Sequence, residues 1–372
     1  MSTKIKFINK DKTQFFNVLK ERVDAYFIEN KISQHANATM VFKTIVMLSI
    51  YFVPYFLMFT QPIGLLGMWL CSLVMGVGLA GIGMSVMHDA NHGAYSAIPF
   101  WNKLIGMTVC FVGADDGNWK IQHNVLHHTY TNIHGHDRDI DDKVIMRFSP
   151  NGKYKRIQRF QIVYVFFFYA IMSLYWCTVK DFIQYAQFIK QGHNRASKKN
   201  QVINLLKLIG WKLFYFFYIL VVPYVVLDLS IWQVLIGFLS LHAVAGLILS
   251  IVFQLAHVVE NTSFPMPDAK GNIENEWAIH QLETTADFSK NSWLITYYVG
   301  GLNYQAIHHL FPRICHVHYP KIAPIVERTA KEFGIPYLYN ESFAKAFASH
   351  TRILSKLGKN DLSFFAVANS MG

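Results

Sequence analysis

The amino-acid sequence predicts an all-α membrane protein, in which four spanning helices form two hairpins and a polar helical cap carries a site for two metal ions. Three observations support this prediction. Hydrophobic residues make up 52% of the 372 residues and charged residues only 15%, which is more apolar than a typical soluble domain. Four long stretches carry almost no charge, and histidines cluster at three places at or beyond the ends of these stretches.

The four apolar stretches have the length of a membrane-spanning helix, which needs about 20 mostly apolar residues. The connections within the two hairpins hold neither Lys nor Arg, whereas the two long polar regions and the N-terminal tail hold almost all the basic residues. By the positive-inside rule, both termini and both long polar regions are expected on the cytoplasmic side. The stretches cover residues 41–60, 64–87, 208–227 and 229–253.

A fifth stretch, residues 161–179, is also uncharged and long enough to cross a bilayer. Basic residues flank it on both sides, so we predict that it lies in the membrane interface or is buried against other helices. A fifth crossing would place residues 255 onward on the opposite side from residues 88–142, and it would separate the histidine clusters.

The membrane domain is expected to cover residues 41–325, between a cytoplasmic amphipathic segment, 1–40, and a cytoplasmic C-terminal segment, 326–372. No cleaved signal peptide is expected, because the N-terminus lacks an apolar region. Four scattered cysteines without CxxC spacing fit a reducing compartment. In the N-terminal segment, four apolar residues stand at near-helical spacing, namely Phe15, Leu19, Val23 and Tyr26.

The net charge of +11 and the pI near 9.3 do not indicate nucleic-acid binding, because the basic residues form no recognisable binding motif. A basic cytoplasmic membrane face accounts for the charge. The same face is also suited to docking an acidic redox partner or a phosphate-bearing substrate.

Three histidine clusters share one spacing pattern. Residues i and i+4 lie on the same face of a helix, so that two such side chains can bind one ion. A single pair is often structural, but three repeats in regions assigned to one side of the membrane favour metal binding. The clusters are His88 and His92; His123, His127 and His128; and Gln305, His308 and His309.

The ligand type narrows the choice of metal. Imidazole suits Zn, Cu, Fe and Ni, and seven histidines exceed what one tetrahedral ion needs, so two ions are predicted. A two-metal site at the mouth of an apolar bundle indicates chemistry on a lipid-like substrate. Oxidation of an unactivated C–H bond requires a redox metal and O₂, which favours iron over zinc.

The clusters, their order and the two-hairpin layout resemble the membrane fatty acid desaturase family over about residues 40–325. The resemblance implies two Fe²⁺ ions, O₂ as co-substrate and a cis double bond introduced into an acyl-CoA or acyl-lipid. It also implies that His257, just after the fourth stretch, is an eighth histidine ligand. Gln305, in place of a histidine, resembles the front-end branch, which includes linoleoyl-CoA-like desaturases. The HPGG haem motif of a fused cytochrome b5 domain is absent from the sequence, so a separate electron donor is expected, a ferredoxin or a cytochrome b5 with its reductase.

Several neighbours of the clusters are further candidates. Asp89, Glu260, His316 and Gln305 are expected either to bind the metal or to form hydrogen bonds that orient the ligands. The acidic loop after His128 is either solvated or supplies such orienting carboxylates. Two aromatic residues are candidates for the lining of an acyl channel, Trp119 and Tyr304.

Two other interpretations stay open from the residues alone. The same kind of site in a lipid hydroxylase would insert oxygen instead of forming a double bond. A metal transporter or a membrane haem protein would place its ligands within the spans, where only His242 lies, so both are disfavoured.

Overall fold

The computed structural model describes residues 5–9, 12–140 and 145–363, and most of these residues are helical. Two short parallel strand pairs join Lys6–Phe7 to Asn272–Ile273 and Asp287–Phe288 to Tyr339–Asn340. The helices are Phe15–Glu29, Ala38–Thr60, Gly64–Asn91, Pro99–Gly106, Thr108–Phe111, Asp116–Lys120 with its continuations Ile121–His127 and His128–Tyr130, Arg156–Ala170, Met172–Lys190, Lys198–Val226, Ile231–His257, Trp277–Thr284, Trp293–Tyr298, Gln305–Leu310, His316–His318, Tyr319–Glu332 and Phe343–Gly358.

Four of the described helices are long and apolar enough to cross a membrane, which confirms the predicted stretches. The chain is an integral membrane protein. The third helix begins at Lys198 instead of at residue 208, because the Ser197 side chain caps it by accepting a hydrogen bond from the Asn200 N–H. In chain order, the four spans are Ala38–Thr60, Gly64–Asn91, Lys198–Val226 and Ile231–His257.

The stretch 161–179 falls in a pair of helices, Arg156–Ala170 and Met172–Lys190, which are bent by 54° at the break between them. As a pair they pass the same test of length and composition, so the described part of the chain has four candidate spans, or five if this pair is one broken span. Whether this stretch crosses the bilayer stays a prediction.

The chain divides into two compact units, which are described separately. The first, here called the span unit, comprises Ala36–Ile121 and Phe166–Ile251. The second, the box unit, comprises Met1–His35, Gln122–Val165 and Val252–Gly372. The predicted segment boundaries near residues 40 and 325 stay predictions.

Close helix contacts in the span unit depend on glycines of the second span. A Cβ atom on Gly76 would lie 2.5 Å from the Leu241 carbonyl oxygen, and one on Gly78 would lie 2.6 Å from the Tyr51 nitrogen. Small residues allow spanning helices to approach this closely. The second span therefore packs directly against the first and the fourth.

A buried ion pair joins the third span to the bent helix pair within the span unit. Lys212 Nζ lies 2.6 Å from Asp181 Oδ2, and it also donates hydrogen bonds to the carbonyl oxygens of Gly113 and Trp176. Asn118 donates to the Asp181 carbonyl oxygen. Because every partner of the ammonium group is in place, the pair fixes these segments together.

A second polar contact holds the same helices together. His242 receives or donates hydrogen bonds through both ring nitrogens, with Nε2 2.8 Å from the Tyr215 hydroxyl and Nδ1 3.0 Å from Ser173 Oγ. His242 is therefore a buried span residue with polar partners, as its position inside the apolar stretch predicts.

The N-terminal helix Phe15–Glu29 forms part of the hydrophobic core of the box unit. Phe15, Leu19 and Val23 are fully buried, as their spacing predicts. Phe27, and not Tyr26, is the fourth buried residue, because it continues the row of every fourth residue. This row packs with apolar residues of helix Tyr319–Glu332 and of the segment from 304 to 314.

The C-terminal helix Phe343–Gly358 caps the end of the fourth span within the box unit. His350 Nδ1 donates to the Val258 carbonyl oxygen at 2.7 Å, and Ser349 Oγ accepts from the Glu260 N–H at 2.8 Å. These bonds satisfy groups at a helix C-terminus that have no partner within the helix itself.

Replacing Lys212 with Met is expected to destabilise the protein by about 3–5 kcal/mol, because the substitution leaves the Asp181 carboxylate buried without its partner. Replacing Lys207, an exposed residue of the same helix, with Met is the control. Thermal unfolding of the purified protein in detergent measures both variants. Equal melting temperatures for the two would show that the buried pair contributes no stability.

Stability is expected to fall as the pH drops from about 6.5 toward 4. Burial lowers the pKa of His350 to about 4, so in this window the unfolded chain binds a proton that the folded chain excludes. The loss amounts to at most about 3 kcal/mol. A His350→Gln variant retains a hydrogen-bond donor and should show a smaller decrease in melting temperature between pH 7 and pH 5. A decrease equal to that of the wild type would contradict the assignment.

Candidate metal centre

The box unit brings six of the eight predicted histidine ligands together. They come from three regions of the chain: the helical segment from 121 to 130, the last residue of the fourth span and the helix Gln305–Leu310. The first of these contains a π-helical turn over Ile121–His127, a distortion that is common at functional sites. The six residues are His123, His127, His128, His257, His308 and His309.

One group of three histidines is fully buried. Each of His127, His257 and His309 offers one ring nitrogen, and these nitrogens lie within 4.8 Å of one another. The side-chain amide nitrogen of Gln305 lies 3.0 Å from His257 Nε2 and 3.1 Å from His309 Nε2. Gln305 therefore belongs to the same cluster as the histidines.

A second group lies beside the first. His128 Nε2 is 3.0 Å from His308 Nε2 and 3.3 Å from His123 Nε2, and all three rings are buried. The rings of His128 and His309 are stacked with their centroids 4.4 Å apart. The two groups are thus adjacent within the box unit.

The orientation of His127 is set by a carboxylate. Its Nδ1 donates to Asp137 Oδ2 at 3.0 Å, and both side chains are fully buried. Burial alone would lower the pKa of His127, but the negative charges of Asp137 and Asp139 outweigh it and raise the pKa above its usual value. Asp137 is itself held by the backbone N–H of Asn132, at 3.0 Å. A carboxylate that fixes an imidazole through Nδ1 leaves Nε2 free to bind a metal.

Two residues that sequence analysis does not single out orient the third cluster. His309 Nδ1 donates to Gln281 Oε1 at 2.8 Å, and His308 Nδ1 lies 3.3 Å from the Tyr319 hydroxyl. Gln281 precedes Gln305 by 24 residues and Tyr319 follows His309 by ten, and neither belongs to a histidine pattern. Their only sequence signal is a polar group on a mostly apolar helical face.

The donor set fits a metal ion. His127 Nε2 is buried and has no hydrogen-bond partner among the described residues, while its Nδ1 is committed to Asp137. A buried nitrogen lone pair without a partner is costly. In the second group, imidazole nitrogens lie 3.0–3.3 Å apart, a spacing that suits the binding of one cation by several rings.

The first cluster, His88 and His92, is called box one, and the third cluster, on helix Gln305–Leu310, is called box three. Box one belongs to the span unit. His88 lies in the last turn of the second span and His92 directly follows that helix, with their ring centroids 4.8 Å apart. The Trp119 ring lies 5.5 Å from His88 and 5.6 Å from His92, edge-on to both. Asp89 Oδ1 is 3.9 Å from His88 Nδ1. Trp119, predicted as a channel residue, packs against the imidazoles of box one.

Residues 63–340 match the family described as fatty acid desaturase. The chain belongs to the fatty acid desaturase family. It is an oxidoreductase, and the metal-ligand pattern of its sequence and the buried histidine groups of its box unit are in keeping with an iron-dependent family.

Three relatives illustrate how similar this chain is to known desaturases. The desaturase is 39% identical to the sn-1 linoleoyl-lipid 6-desaturase of Synechocystis sp., over 96% of this chain and 98% of that protein. It is 38% identical to the protein of the same name from Arthrospira platensis, over 93% of both chains. It is 35% identical to the acyl-lipid (8-3)-desaturase of Physcomitrium patens, over 95% of this chain and 74% of that protein.

The other predicted site residues of the desaturase have different surroundings. Nε and Nη2 of Arg352 both donate to Glu260 Oε2, and these hydrogen bonds lower the pKa of the Glu260 carboxyl. Tyr304 is part of the hydrophobic core of the box unit, and its hydroxyl donates to the Lys290 carbonyl oxygen. His316 is buried near the Tyr319 ring. In the acidic loop, Asp141 and Asp142 lie outside the described residues.

The box-three helix is anchored from outside by Asp287. This fully buried carboxylate accepts a hydrogen bond from the Ala306 N–H at 3.0 Å and another from the Tyr337 hydroxyl. Burial raises the pKa of Asp287 to about 6. The parallel pair of Asp287–Phe288 with Tyr339–Asn340 holds the two segments in register. The C-terminal segment therefore helps to hold box three in place.

Replacing Asp137 with Asn is expected to weaken metal binding by about 10- to 100-fold, because the neutral amide no longer strengthens His127 as a ligand. Retention of metal during titration with a chelator measures the change. Glu274→Gln, which neutralises an exposed carboxylate of the same unit away from the histidine groups, is the matched control. Identical chelator curves for wild type and Asp137→Asn would contradict this role for Asp137.

Proposed function

We propose that the desaturase introduces a cis double bond into an acyl chain of a membrane lipid, on the carboxyl side of an existing double bond. The observation that carries the proposal is the buried group of His127, His257 and His309, with Gln305 within hydrogen-bond distance of two of its nitrogens. The relatives from Synechocystis sp. and Arthrospira platensis are named for lipid-linked linoleoyl chains, and their similarity extends over nearly the whole chain. The lipid-linked chain is therefore preferred over acyl-CoA as the substrate.

The cofactor proposed for this chain is a pair of iron ions. The ligands proposed within the box unit are the six histidines of its two groups, and His88 and His92 are proposed as ligands on sequence grounds. Bound iron supplies the redox chemistry that O₂ activation and the cleavage of an unactivated C–H bond require. An all-imidazole donor set without thiolates suits iron in this role.

We propose that Gln305 occupies a ligand position and not only a supporting one. Nitrogen or oxygen ligands about 2.1 Å from a common ion lie about 3.0–3.4 Å apart. The end of the Gln305 amide stands 3.0 and 3.1 Å from two ring nitrogens of the three-histidine group, which is this spacing. Rotation of the amide by half a turn brings Oε1, the atom that binds metals, to the same place.

The hydrogen bonds around the centre determine where protons sit. Asp137 and Gln281 accept from Nδ1 of His127 and His309, so both rings keep Nδ1 protonated and Nε2 available. The rings of His127, His257 and His309 are all buried, which keeps water away from the reacting atoms. The protein residues thus provide a dry, preorganised donor set for the oxidation of an apolar chain.

The orientation of the protein is part of the proposal. Both termini and the box unit are placed in the cytoplasm, because the basic residues are concentrated in these polar regions. A separate electron carrier, a ferredoxin or a cytochrome b5, then has direct access to the box unit from that side.

Expression in a host whose lipids contain linoleoyl chains tests the function directly. Gas chromatography with mass spectrometry of the fatty acids is expected to show a new double bond between the carboxyl group and the existing ones. A His309→Ala variant is the inactive control. A hydroxylated product, or an unchanged profile with a competent electron donor and a protein that contains only zinc, would contradict the proposal.

If Gln305 is a ligand, Gln305→Ala is expected to lower the iron content as much as His309→Ala does. Each variant should then retain about one of the two ions. Metal analysis of the two purified variants beside the wild type measures this. A Gln305→Ala protein that retains all its iron and loses only part of its turnover would show that Gln305 acts through hydrogen bonds alone.

A further inference from the structure

Helix Tyr319–Glu332 of the box unit presents a row of positive charges on its outer side. Its inner side is buried in the core, with Ile322, Ala323 and Val326 between 0 and 4% exposed. Three cations fall on the opposite side at helical spacing, with the exposed Pro324 between the first two. We call this row the basic stripe, and it consists of Lys321, Arg328 and Lys331.

The charges of the basic stripe are not neutralised within the described parts of the chain. The two acidic residues of the same helix are already paired, Glu327 with Lys290 at 2.5 Å and Glu332 with Arg22 at 2.7 Å. Glu29, on the N-terminal helix, lies in the groove that Arg328 also lines, so one acidic group faces the stripe from that side. Three cations against one carboxylate leave a positively charged surface.

The basic stripe begins next to a buried side chain that reaches box three. Tyr319, the first residue of the helix, is 1% exposed, and its hydroxyl lies 3.3 Å from His308 Nδ1. The next two residues, Pro320 and Lys321, are both exposed. A single aromatic residue therefore links the protein surface to an imidazole of the second histidine group.

We propose that the basic stripe is the docking surface of the electron donor, an acidic protein that carries one electron at a time, and that electrons reach box three through Tyr319. This inference rests on the proposed function. Formation of the alkene follows CH₂–CH₂ + O₂ + 2 e⁻ + 2 H⁺ → CH=CH + 2 H₂O. The substrate supplies two of the four electrons that reduce O₂, and two reduced carriers supply the other two in successive encounters.

A protein partner fits the basic stripe better than an anionic lipid surface does. A helix that lies in a membrane interface presents large apolar side chains beside its cations. Here the aliphatic side chains of the helix are buried in the core or, for Ile325, half-buried, and the exposed apolar residues beside the cations are two prolines, Pro320 and Pro324, and Phe333. An exposed basic surface that presents no row of large apolar side chains is suited to transient, salt-sensitive docking of an acidic carrier.

Charge reversal of the stripe, K321E/R328E/K331E, tests the docking surface. The probes are a soluble cytochrome b5 domain and a plant-type [2Fe–2S] ferredoxin, each with its reductase, acting on desaturase in lipid nanodiscs. The apparent KM for the effective donor is expected to rise about tenfold or more and to lose most of its salt dependence. Product formed in a single turnover with dithionite should be unchanged.

The matched control reverses three exposed cations elsewhere, K198E/K199E/K207E, with the same change in net charge. These residues lie in the span unit and are exposed. An unchanged donor KM in the stripe variant, or an equal increase in the control, would overturn the proposal. Unaltered donor kinetics combined with lost binding to phosphatidylglycerol vesicles would assign the stripe to lipid contact and overturn it as well.

The route through Tyr319 has its own test. Tyr319→Phe keeps the aromatic ring and Tyr319→Leu removes it. Stopped-flow absorbance measures the rate of electron transfer from the prereduced donor. This rate should be lower than that of the wild type in the Leu variant and close to that of the wild type in the Phe variant. Iron content should be the same in both. Equal rates in all three proteins would overturn the route. A wild-type protein that forms no alkene even with dithionite would instead refute the proposed function itself.

Discussion

The structure of the box unit depends on one constraint, the burial of several imidazole rings whose nitrogen lone pairs converge. In the group of His127, His257 and His309, no side chain is exposed to solvent. Water cannot solvate these nitrogens, and the Gln305 amide lies within hydrogen-bond distance of two of them. His127 Nε2 has no hydrogen-bond partner among the described residues, which is costly for a buried nitrogen, and a bound cation would make the same arrangement a stabilising one.

The rest of the unit serves to hold the rings in that arrangement. Asp137 and Gln281 fix the orientation of two rings by accepting from their Nδ1 atoms. Asp287 caps the helix that carries box three, and His350 caps the end of the helix that carries His257. Asp137 lies ten residues after the ring that it positions, whereas Gln281 and His350 come from segments more distant in sequence. The terminal segments are therefore structural parts of the centre, and their loss is expected to affect metal binding before it affects the spans.

Much of this arrangement can be predicted from the sequence. The spans follow from hydropathy and length, and the histidine groups follow from the i, i+4 spacing, which operates within one helix. Phe15, Leu19 and Val23 were likewise correct because a helical row is a local property. The choice of Phe27 over Tyr26 was missed because near-helical spacing allows either residue, and packing against helix Tyr319–Glu332 decides between them.

What the sequence does not disclose are contacts between distant segments. Gln281 and Tyr319 orient His309 and His308 across 28 and 11 residues, and no local pattern marks them. Glu260 stands close to His257 in sequence, yet its carboxylate is bound to Arg352, 92 residues away. Proximity in sequence identifies the ligands on one helix and the acidic loop that contains Asp137, but it identifies neither Gln281 nor the partner of Glu260.

X-ray absorption at the iron edge, together with iron content per chain, shows whether the converging imidazoles bind two iron ions. We expect two iron ions per chain, with nitrogen and oxygen ligands at about 2.1 Å and the multiple-scattering pattern of imidazole. Sulfur at about 2.3 Å, the absence of the imidazole pattern, or catalytically active protein without iron would contradict this expectation.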